Sequence, residues 1–353
     1  MTKNEFIARL SSALSTSQSA ETVEGLIADF NEHFDEAMRA GKSEEDICAM
    51  LGDPEEIAAE YGEETVRCDI PADDAFIYIS LSHVNVSCEP SGDDDFHVEV
   101  RQNGSVTHDD TIRIEQTDKS LRIIQQRERD FIGLLFRAFI FSETVFVRIP
   151  RRFNGNMTVL MTSGNARFNG VAFRDDFRCE LTSGNVNMAQ VSSGGLMTVC
   201  SRSGNITVDN CAGDLSAECH SGNVKVNYHK GNVLRASTTS GTVRVSADHI
   251  TKNCMVSAKS GSVHLDCNKL DSDLVLDCHS GSIKFSIREL CGNVTGKTRS
   301  GSITGSLSRD TRAVFMLQSS VSRNMFPNAV MPEPGVPVVN LSTRSGLVRL
   351  KEL

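Results

Sequence analysis

The sequence contains no tryptophan, and only three tyrosines and eight prolines occur among its 353 residues. Long apolar runs are also missing. The most apolar stretch, residues 131–141, is interrupted by Arg137, whereas a membrane-spanning helix needs about 20 apolar residues. The N-terminal residues have no apolar core of the kind that defines a secretory signal. We therefore expect a chain that spans no membrane and resides in the cytoplasm.

The cysteines show no sign of a disulfide framework. Their number, 11, is odd, and no CxxC pair occurs among them. Reduced thiols are typical of proteins kept inside the cell. The apolar fraction of 39% and charged fraction of 23% are those of a globular chain and exclude general disorder.

Charge divides the chain into two parts. Residues 1–64, here called the acidic head, contain 16 acidic and 4 basic side chains, so their net charge is −12. Residues 65–353, the body, contain 30 acidic and 32 basic side chains, a net charge of +2. The acidity is either an ordinary solvated surface or a docking surface for a basic partner. The candidate docking residues are Glu44, Glu45, Asp46, Asp53, Glu55 and Glu56.

The head has the pattern of four short helices. Thr2 and Glu5 have capping-box spacing before an apolar face. A second helix carries an apolar stripe that ends at Met38, a third begins after Ser43, and Asp53-Pro54 begins a fourth.

Two segments of the head, GKSEEDI at 41–47 and LGDPEEIA at 51–58, resemble a bacterial helical signalling domain associated with helix-turn-helix regulators. The resemblance covers residues 1 to about 62. It implies that the head contacts a protein partner, a PadR-like transcription regulator. In that family the helical domain is often followed by membrane segments, which this sequence does not contain.

The body begins with alternating apolar and polar residues between about 65 and 150, a pattern that predicts strands. A repeat then starts. Ser-Gly pairs begin at Ser163, Ser183, Ser203, Ser221, Ser240, Ser260, Ser280 and Ser300, at steps of 18 to 20 residues, and a ninth begins at Ser345. Two repeats with an insertion near the Pro-rich residues 327–337 would fill the last gap. Ser319-Ser320 would then be a degraded Ser-Gly pair.

Each repeat has one buried and one exposed face. Counting from the serine of each pair, apolar residues recur at positions −6, −4 and −2 and at +3 and +5, so each repeat has two strands. The buried parity changes at the Ser-Gly pair, which predicts a sharp corner where glycine accepts unusual backbone angles. Asparagines follow the glycine in several repeats and should form a ladder.

This pattern predicts a parallel β-solenoid with two-strand coils of about 20 residues. The fold class is therefore α+β with several domains: the head at 1–64, the leading coils and cap at 65–150 (including residues 131–141), and the solenoid at 151–353. The SG[NTS][VI] repeats resemble the bacterial "putative adhesin" β-solenoid domains of unknown function, over residues 75–350.

Metal and catalytic sites find little support in the sequence. Cys219-His220 and Cys278-His279 are three repeats apart, which places them about 14 Å from each other, and each histidine should point outward. Glu180 and Glu218 should be about 9.5 Å apart, loose for an acid–base pair but within the separations of inverting hydrolases. The sequence has no GxSxG, P-loop or GxGxxG motif. We expect no cofactor, no metal and no enzymatic activity.

Basic residues occupy two outward rows, at positions −1 and +4, on either side of the Ser-Gly corner. Neither row contains an acidic residue. We call their lysines and arginines the cationic stripe: Arg167, Arg202, Lys225, Arg244, Lys259, Lys284, Arg299, Arg344 and Arg349. Such a stripe either discourages strand aggregation or binds an anionic partner, which could be the acidic head or an external polymer. The rows contain no interleaved aromatics, and the chain is acidic, so direct nucleic-acid binding is not expected.

Together these features predict a non-enzymatic bacterial signalling or regulatory protein, whose head contacts a protein and whose solenoid is a scaffold or sensing surface. The alternative is an adhesin-like protein that binds a glycan or envelope polymer, and a polysaccharide-active enzyme is a third hypothesis. An exposed end of the stack would allow end-to-end dimerisation.

Overall fold

The computed structural model describes residues 1–15, 20–39, 41–55, 58, 64–68, 73–93, 95–103, 112–117, 119–125, 142–151, 153–319, 321–324, 331 and 333–353. Residues 131–141, placed in the cap by the sequence, lie outside this part, as do Ser320 and residues 327–330 and 332 of the Pro-rich segment. The buried apolar side chains form two separate clusters, one in the head and one in the body.

In the described part of the head, three helices have defined bounds: α1 (Lys3–Leu14), α2 (Ala20–Arg39) and α3 (Glu44–Leu51). The predicted caps of α1 and α3 are confirmed, because Thr2 Oγ1 accepts a hydrogen bond from the Glu5 amide and Ser43 Oγ accepts one from the Asp46 amide. Residues 54, 55 and 58 are helical, and the rest of the predicted fourth helix lies outside the described residues.

Aromatic packing holds α1 on α2. The Phe6 ring contacts the Phe34 ring edge-on at 5.5 Å and the Phe30 ring at 6.2 Å. The prediction that the apolar stripe of α2 is buried as far as Met38 was wrong at its last member, since Met38 is 42% exposed. It lies one residue before the helix ends.

The body consists almost entirely of strands. Those before the repeats are β1 (Glu64–Cys68), β2 (Asp73–His83), β3 (Asn85–Pro90), β4 (Phe96–Asn103), β5 (Ile112–Thr117), β6 (Ser120–Gln125) and β7 (Ser142–Ile149). The repeats begin with β8 (Asn154–Ser163), β9 (Ala166–Asn169), β10 (Ala172–Phe173), β11 (Phe177–Ser183), β12 (Val186–Ala189), β13 (Ser192–Ser203), β14 (Ile206–Asp209), β15 (Ala212–Ser221) and β16 (Val224–Gly231). They continue with β17 (Leu234–Ile250), β18 (Cys254–Leu270), β19 (Leu274–Ser280), β20 (Ile283–Leu290), β21 (Val294–Ser300), β22 (Ile303–Leu307), β23 (Val314–Gln318), β24 (Val321–Asn324), β25 (Val338–Ser345) and β26 (Leu347–Glu352).

The predicted solenoid is confirmed. Strands one repeat apart pair in parallel, so Cys179 lies opposite both Val159 and Val199. In most coils the first strand ends at the Ser-Gly corner and the second begins after it, whereas β17 and β18 continue through the corner as single strands. A short third strand adds to the predicted pair: Ser192 is paired with Ala172 and Ala212. The coils that contain this strand have three sides around one buried core.

The core changes character along the stack. Near the N-terminal end, Phe96, Phe153, Phe173 and Phe177 form a chain of ring contacts at 4.9–6.2 Å. Further along, small aliphatic residues and cysteines fill the same columns. Phe285 is an exception further along the stack, where its ring is also buried.

Both ends of the stack depart from chain order. At the N-terminal end, β6 and β7 lie outside β2 and β3, although they follow them in the sequence. Antiparallel strands then cover this coil, since β4 pairs with β7 and β1 with β4. The sequence predicted a leading coil and cap here, but not these reversals.

At the C-terminal end, the coil of β25 and β26 stacks directly on that of β21 and β22, and Ser300 lies opposite Ser345. The coil of β23 and β24 lies beyond it. The predicted count of two further coils is therefore right, but their order in space is the reverse of their order in the chain.

Candidate interaction surface

The Ser-Gly corner positions the cationic stripe. Gly184, Gly204 and the equivalent glycines have φ between +109° and +148°, a region that residues with a Cβ rarely adopt. A Cβ on Gly184 would also overlap the carbonyl oxygen of Gly164 on the preceding coil. Only glycine at this position therefore allows the corners of successive coils to stack. The −1 and +4 rows, which flank the corner, are aligned along the solenoid as a result.

Inside the corner, a column of hydroxyl and thiol groups donates to glycine carbonyls of the preceding coil. The bonds join Ser201 to Gly184, Cys219 to Gly204, Thr238 to Gly222, Cys278 to Gly261, Thr298 to Gly281 and Thr343 to Gly301, at 2.9–3.4 Å. The sequence showed serine and threonine at inward position −2 but not their acceptor. Cys219 and Cys278, interpreted as small apolar residues, occupy the same donor position.

Outside the corner, the predicted asparagine ladder is confirmed. Each side-chain oxygen accepts a hydrogen bond from the next asparagine amide, from Asn85 through Asn165, Asn185 and Asn205 to Asn223. The amide of Thr242 closes the ladder on the oxygen of Asn223. This ladder holds the coils in register between the two rows of the stripe.

The two rows are continuous in space. In the +4 row, Lys225 lies opposite Arg244, which lies opposite His264, and Lys284 follows. In the −1 row, each residue directly precedes a serine that lies opposite the serine of the next coil. All nine residues of the stripe are exposed. Throughout the described part of the chain, none of them has an ion-pair partner within 4.0 Å.

Several other cations of the body are neutralised by neighbours. Arg148 contacts Glu99 at 2.7 Å, Arg178 contacts Glu180 at 2.6 Å, and Lys269 contacts Glu289 at 3.0 Å. The stripe thus differs from these positions in carrying charge without a counter-ion. Burial and the flanking cations Arg244 and Lys284 lower the pKa of His264, as expected beside uncompensated positive charge.

The acidic residues of the head are less available. Arg9 forms ion pairs with both Asp53 and Glu55. Glu44 accepts a hydrogen bond from the Lys3 amide at 2.8 Å, and Asp46 accepts one from the Ser43 hydroxyl at 2.6 Å. Glu45 is exposed, and Glu56 lies outside the described residues. The candidate docking residues therefore lie in the first turn of α3 and in the segment after its last residue. Several of them already form hydrogen bonds or ion pairs within the head.

A polar groove, not anticipated from the sequence, runs along the outer face of the first strands and encloses about 880 Å³. Polar residues that line it include Ser80, Ser82, Gln125, Thr162, Glu180, Thr182, Cys200, Arg202, Glu218 and His220. Arg202 belongs to the cationic stripe, so groove and stripe are adjacent. The outward polar residues were visible in the sequence, but their convergence depends on Gln125, which the end reversal brings beside Ser82 at 2.7 Å.

The groove also brings together the carboxylates considered for catalysis. Glu180 and Glu218 lie on either side of Cys200 in the ladder, as the repeat predicted. Burial, Glu180 and Glu218 raise the pKa of Cys200, which keeps this thiol protonated and weakens it as a nucleophile. Arg178 holds Glu180 by an ion pair.

In each cysteine–histidine pair the two side chains point to opposite faces of the strand, as expected from the sequence. Cys219 and Cys278 are buried, whereas His220 and His279 are exposed, and two coils separate the thiols. Among the described residues, no group of three or more His, Cys, Asp or Glu side chains is arranged to hold a metal ion. Every cysteine whose side chain is described is a free thiol.

His229 is a polar core residue that sequence analysis overlooked. It is 2% exposed, and neither ring nitrogen has a hydrogen-bond partner. Burial lowers its pKa to about 4. The signal in the sequence was weak, because the irregular steps of 18 and 19 residues on either side of this coil shift its inward positions.

Residues 76–287 match the family Toastrack DUF4097. The chain belongs to this family. Residues 5–60 match the family HAAS, whose helical domain is associated with PadR-like regulators. Both resemblances seen in the sequence are thereby confirmed.

Two solved structures are similar to the Toastrack chain. One is a "putative cell adhesion protein" from Clostridium sporogenes ATCC 15579, with 8% identity, a TM-score of 0.27 and coverage of 82% of this chain and 100% of that one. The other is a "putative adhesin" from Bacteroides fragilis NCTC 9343, with 14% identity, a TM-score of 0.31 and coverage of 82% and 97%. Because both TM-scores are below 0.5, neither likeness bears on the ligand of this chain. No curated protein matches it.

None of the helices in the described ranges is both long and apolar enough to cross a membrane.

Proposed function

We propose that this protein is a non-enzymatic bacterial signalling or regulatory interaction protein. Its head contacts a protein partner, and its solenoid is a scaffold or sensing surface. The observation that carries the proposal is the cationic stripe, whose nine exposed cations lie in register on a stacked scaffold and have no ion-pair partner among the described residues. A surface of this kind suits recognition, since it offers charge but no activated nucleophile.

The partner of the head that we propose is a PadR-like transcription regulator, because HAAS domains are associated with such regulators. The protein itself would not contact nucleic acid, since aromatic side chains are missing from both rows of the stripe. A cytoplasmic location is part of the same proposal and is supported by the free thiols of the described cysteines.

An affinity pull-down from native cells tests this function. The baits are the full-length protein, a chain without residues 1–64, and the full-length protein with Glu45→Arg, which reverses one exposed head charge. We expect a helix-turn-helix regulator with the full-length bait, less of it with Glu45→Arg, and none with the truncated chain. Recovery of the same proteins with all three baits would contradict a role for the head.

A second candidate function is binding of a glycan or envelope polymer, and the polar groove favours it. Hydroxyl, amide and carboxylate groups line this groove over several coils, as a polymer-binding cleft requires. Recovery of envelope material with both the full-length and truncated baits, and of no regulator with either, would move the assignment to this function. A polysaccharide-active enzyme is the weakest alternative, since the acidic pair of the groove is separated by the protonated Cys200.

We also propose that the solenoid can associate end to end. In the described residues, β23 and β24 each pair with a strand on one side, β25 and β26 respectively, so the last coil offers strand edges to a second copy. Light scattering over a concentration series would show a dimer; a constant monomer mass would contradict this.

A further inference from the structure

The cationic stripe is densest over six consecutive coils, from β15–β16 to β25–β26. Each of these coils carries at least one permanent cation, and we call the group the dense section: Lys225, Arg244, Lys259, Lys284, Arg299, Arg344 and Arg349. Parallel strands lie about 4.8 Å apart, so five steps form a straight track of about 24 Å. The cations lie on both sides of the Ser-Gly corner: position +4 holds Lys225, Arg244, Lys284 and Arg349, and position −1 holds Lys259, Arg299 and Arg344.

The length and shape of the dense section favour an extended occupant over a docked helix α3. Helix α3, which carries three of the acidic candidates, has 8 residues and is therefore only about 12 Å long. It would cover about half of the track. A linear polyanion can follow all six coils, because its charges repeat along one direction as the cations do.

The neighbouring groove narrows the chemistry of this polyanion. The −1 row of the stripe continues toward the N-terminal end as Arg202, Thr182 and Thr162, which also line the polar groove. The serine and threonine hydroxyls of the groove and the amide of Gln125 can form hydrogen bonds with a ligand that is rich in hydroxyl groups. Glu180 and Glu218 can accept hydrogen bonds from such groups but repel anions, so the anionic groups of the ligand belong on the dense section.

We propose that the cationic stripe and the adjacent polar groove bind a linear acidic polysaccharide that runs along the solenoid axis. Carboxylate or phosphate groups of the polymer contact the lysines and arginines of the dense section, and sugar hydroxyls occupy the groove. The inference rests on the proposed role of the solenoid as an interaction surface, and it names the ligand class of that surface. Arginine suits it, since its planar guanidinium can bind carboxylate or phosphate with two hydrogen bonds.

The test is binding of the full-length protein to polygalacturonate, which carries one carboxylate on each sugar. The same polymer after complete methyl esterification keeps the remaining hydroxyls and loses the charge. We expect the acid form to bind. Its affinity should fall by about tenfold or more as the salt concentration rises from 0.05 to 0.5 M, because the Debye length shortens over this range. The esterified form should bind at least tenfold more weakly.

A pair of matched double variants locates the contact. Arg244→Glu/Lys284→Glu reverses two charges of the dense section and should lower affinity tenfold or more. Arg235→Glu/Lys297→Glu makes the same charge change at exposed cations outside the stripe and should change affinity less than twofold. Equal losses in the two variants would overturn the proposal, since the attraction would then depend on net charge alone.

Two further polyanions separate the ligand classes. Oligothymidylate and polyglutamate of matched charge should bind more weakly than polygalacturonate, because neither offers hydroxyl-rich rings to the groove. Tighter binding of either one would overturn the assignment to a polysaccharide. If polygalacturonate fails to bind while the head-dependent partner is still recovered in the pull-down, this inference fails and the proposed function stands.

Discussion

His229 places a titratable group in the core of the solenoid. Both of its ring nitrogens are buried, and neither has a partner in hydrogen-bond geometry, so burial in the folded protein disfavours the charged ring. Its pKa is lowered to about 4, compared with about 6.5 in an unfolded chain. The unfolded state therefore binds the proton first as the pH falls. The contribution of neutral His229 to stability is complete above pH 6.5 and is lost between pH 6.5 and 4.

We predict that His229→Leu removes much of this acid sensitivity. The shift corresponds to about 3 kcal/mol of unfolding free energy between pH 7.5 and 4. Urea unfolding of the wild-type protein and the variant at these two pH values would measure it. His220→Leu, at an exposed position, is the matched control and should leave the pH dependence unchanged. An equally steep loss of stability in His229→Leu would show that another group is responsible.

At the scale of the element, the Ser-Gly corner is the part of the coil that tolerates least change. Gly241 has φ of +142°, and a Cβ there would overlap the carbonyl oxygen of Gly222. Gly335 has φ of +84°, but no atom lies within 4 Å of its would-be Cβ. At both positions an added Cβ would strain the backbone. Only at Gly241 would it also collide with the neighbouring coil, so a comparison of the two distinguishes these effects.

Replacing each glycine by alanine should therefore have different effects. Gly335→Ala should lower the unfolding free energy by about 1 kcal/mol from strain alone. Gly241→Ala should cost about 3 kcal/mol or more, because two corners must move apart. Chemical unfolding measures both. Similar losses at the two sites would mean that the corner relaxes more easily than its contacts indicate.

At the scale of the whole molecule, the reversed order of the last coils has a consequence for truncation. The coil of β25–β26 contacts β21–β22 on one side and β23–β24 on the other. The strands β25 and β26 near the C-terminus are thus an internal layer of the stack, and β23 and β24 lie outside them. Removing residues 313–337 would also restore a 20-residue step between Ser300 and Ser345.

We predict that deletion of residues 313–337 leaves a folded, shorter solenoid, whereas deletion of residues 338–353 disrupts the last coils. In the second case β23–β24 lose their only described neighbours and a layer of core is exposed. Thermal unfolding followed by circular dichroism, with size-exclusion chromatography, would compare the two chains. A lower melting temperature for the 313–337 deletion than for the shorter C-terminal deletion would contradict the observed stacking order.

The sequence by itself determined the two-module organisation, the coil period, the inward columns and the sharp corner. Each of these features depends on residues that are close in the chain or one repeat apart. There, the alternation of apolar and polar residues and the Ser-Gly spacing are compatible with only one arrangement of the strands. The cationic rows followed from the same arithmetic. Tertiary structure alone decided the order of the end coils, since the edge of any coil offers the same hydrogen-bonding groups to its neighbour. It also decided which glycine carbonyl each inward hydroxyl meets, and that Gln125 and Arg202 line one groove.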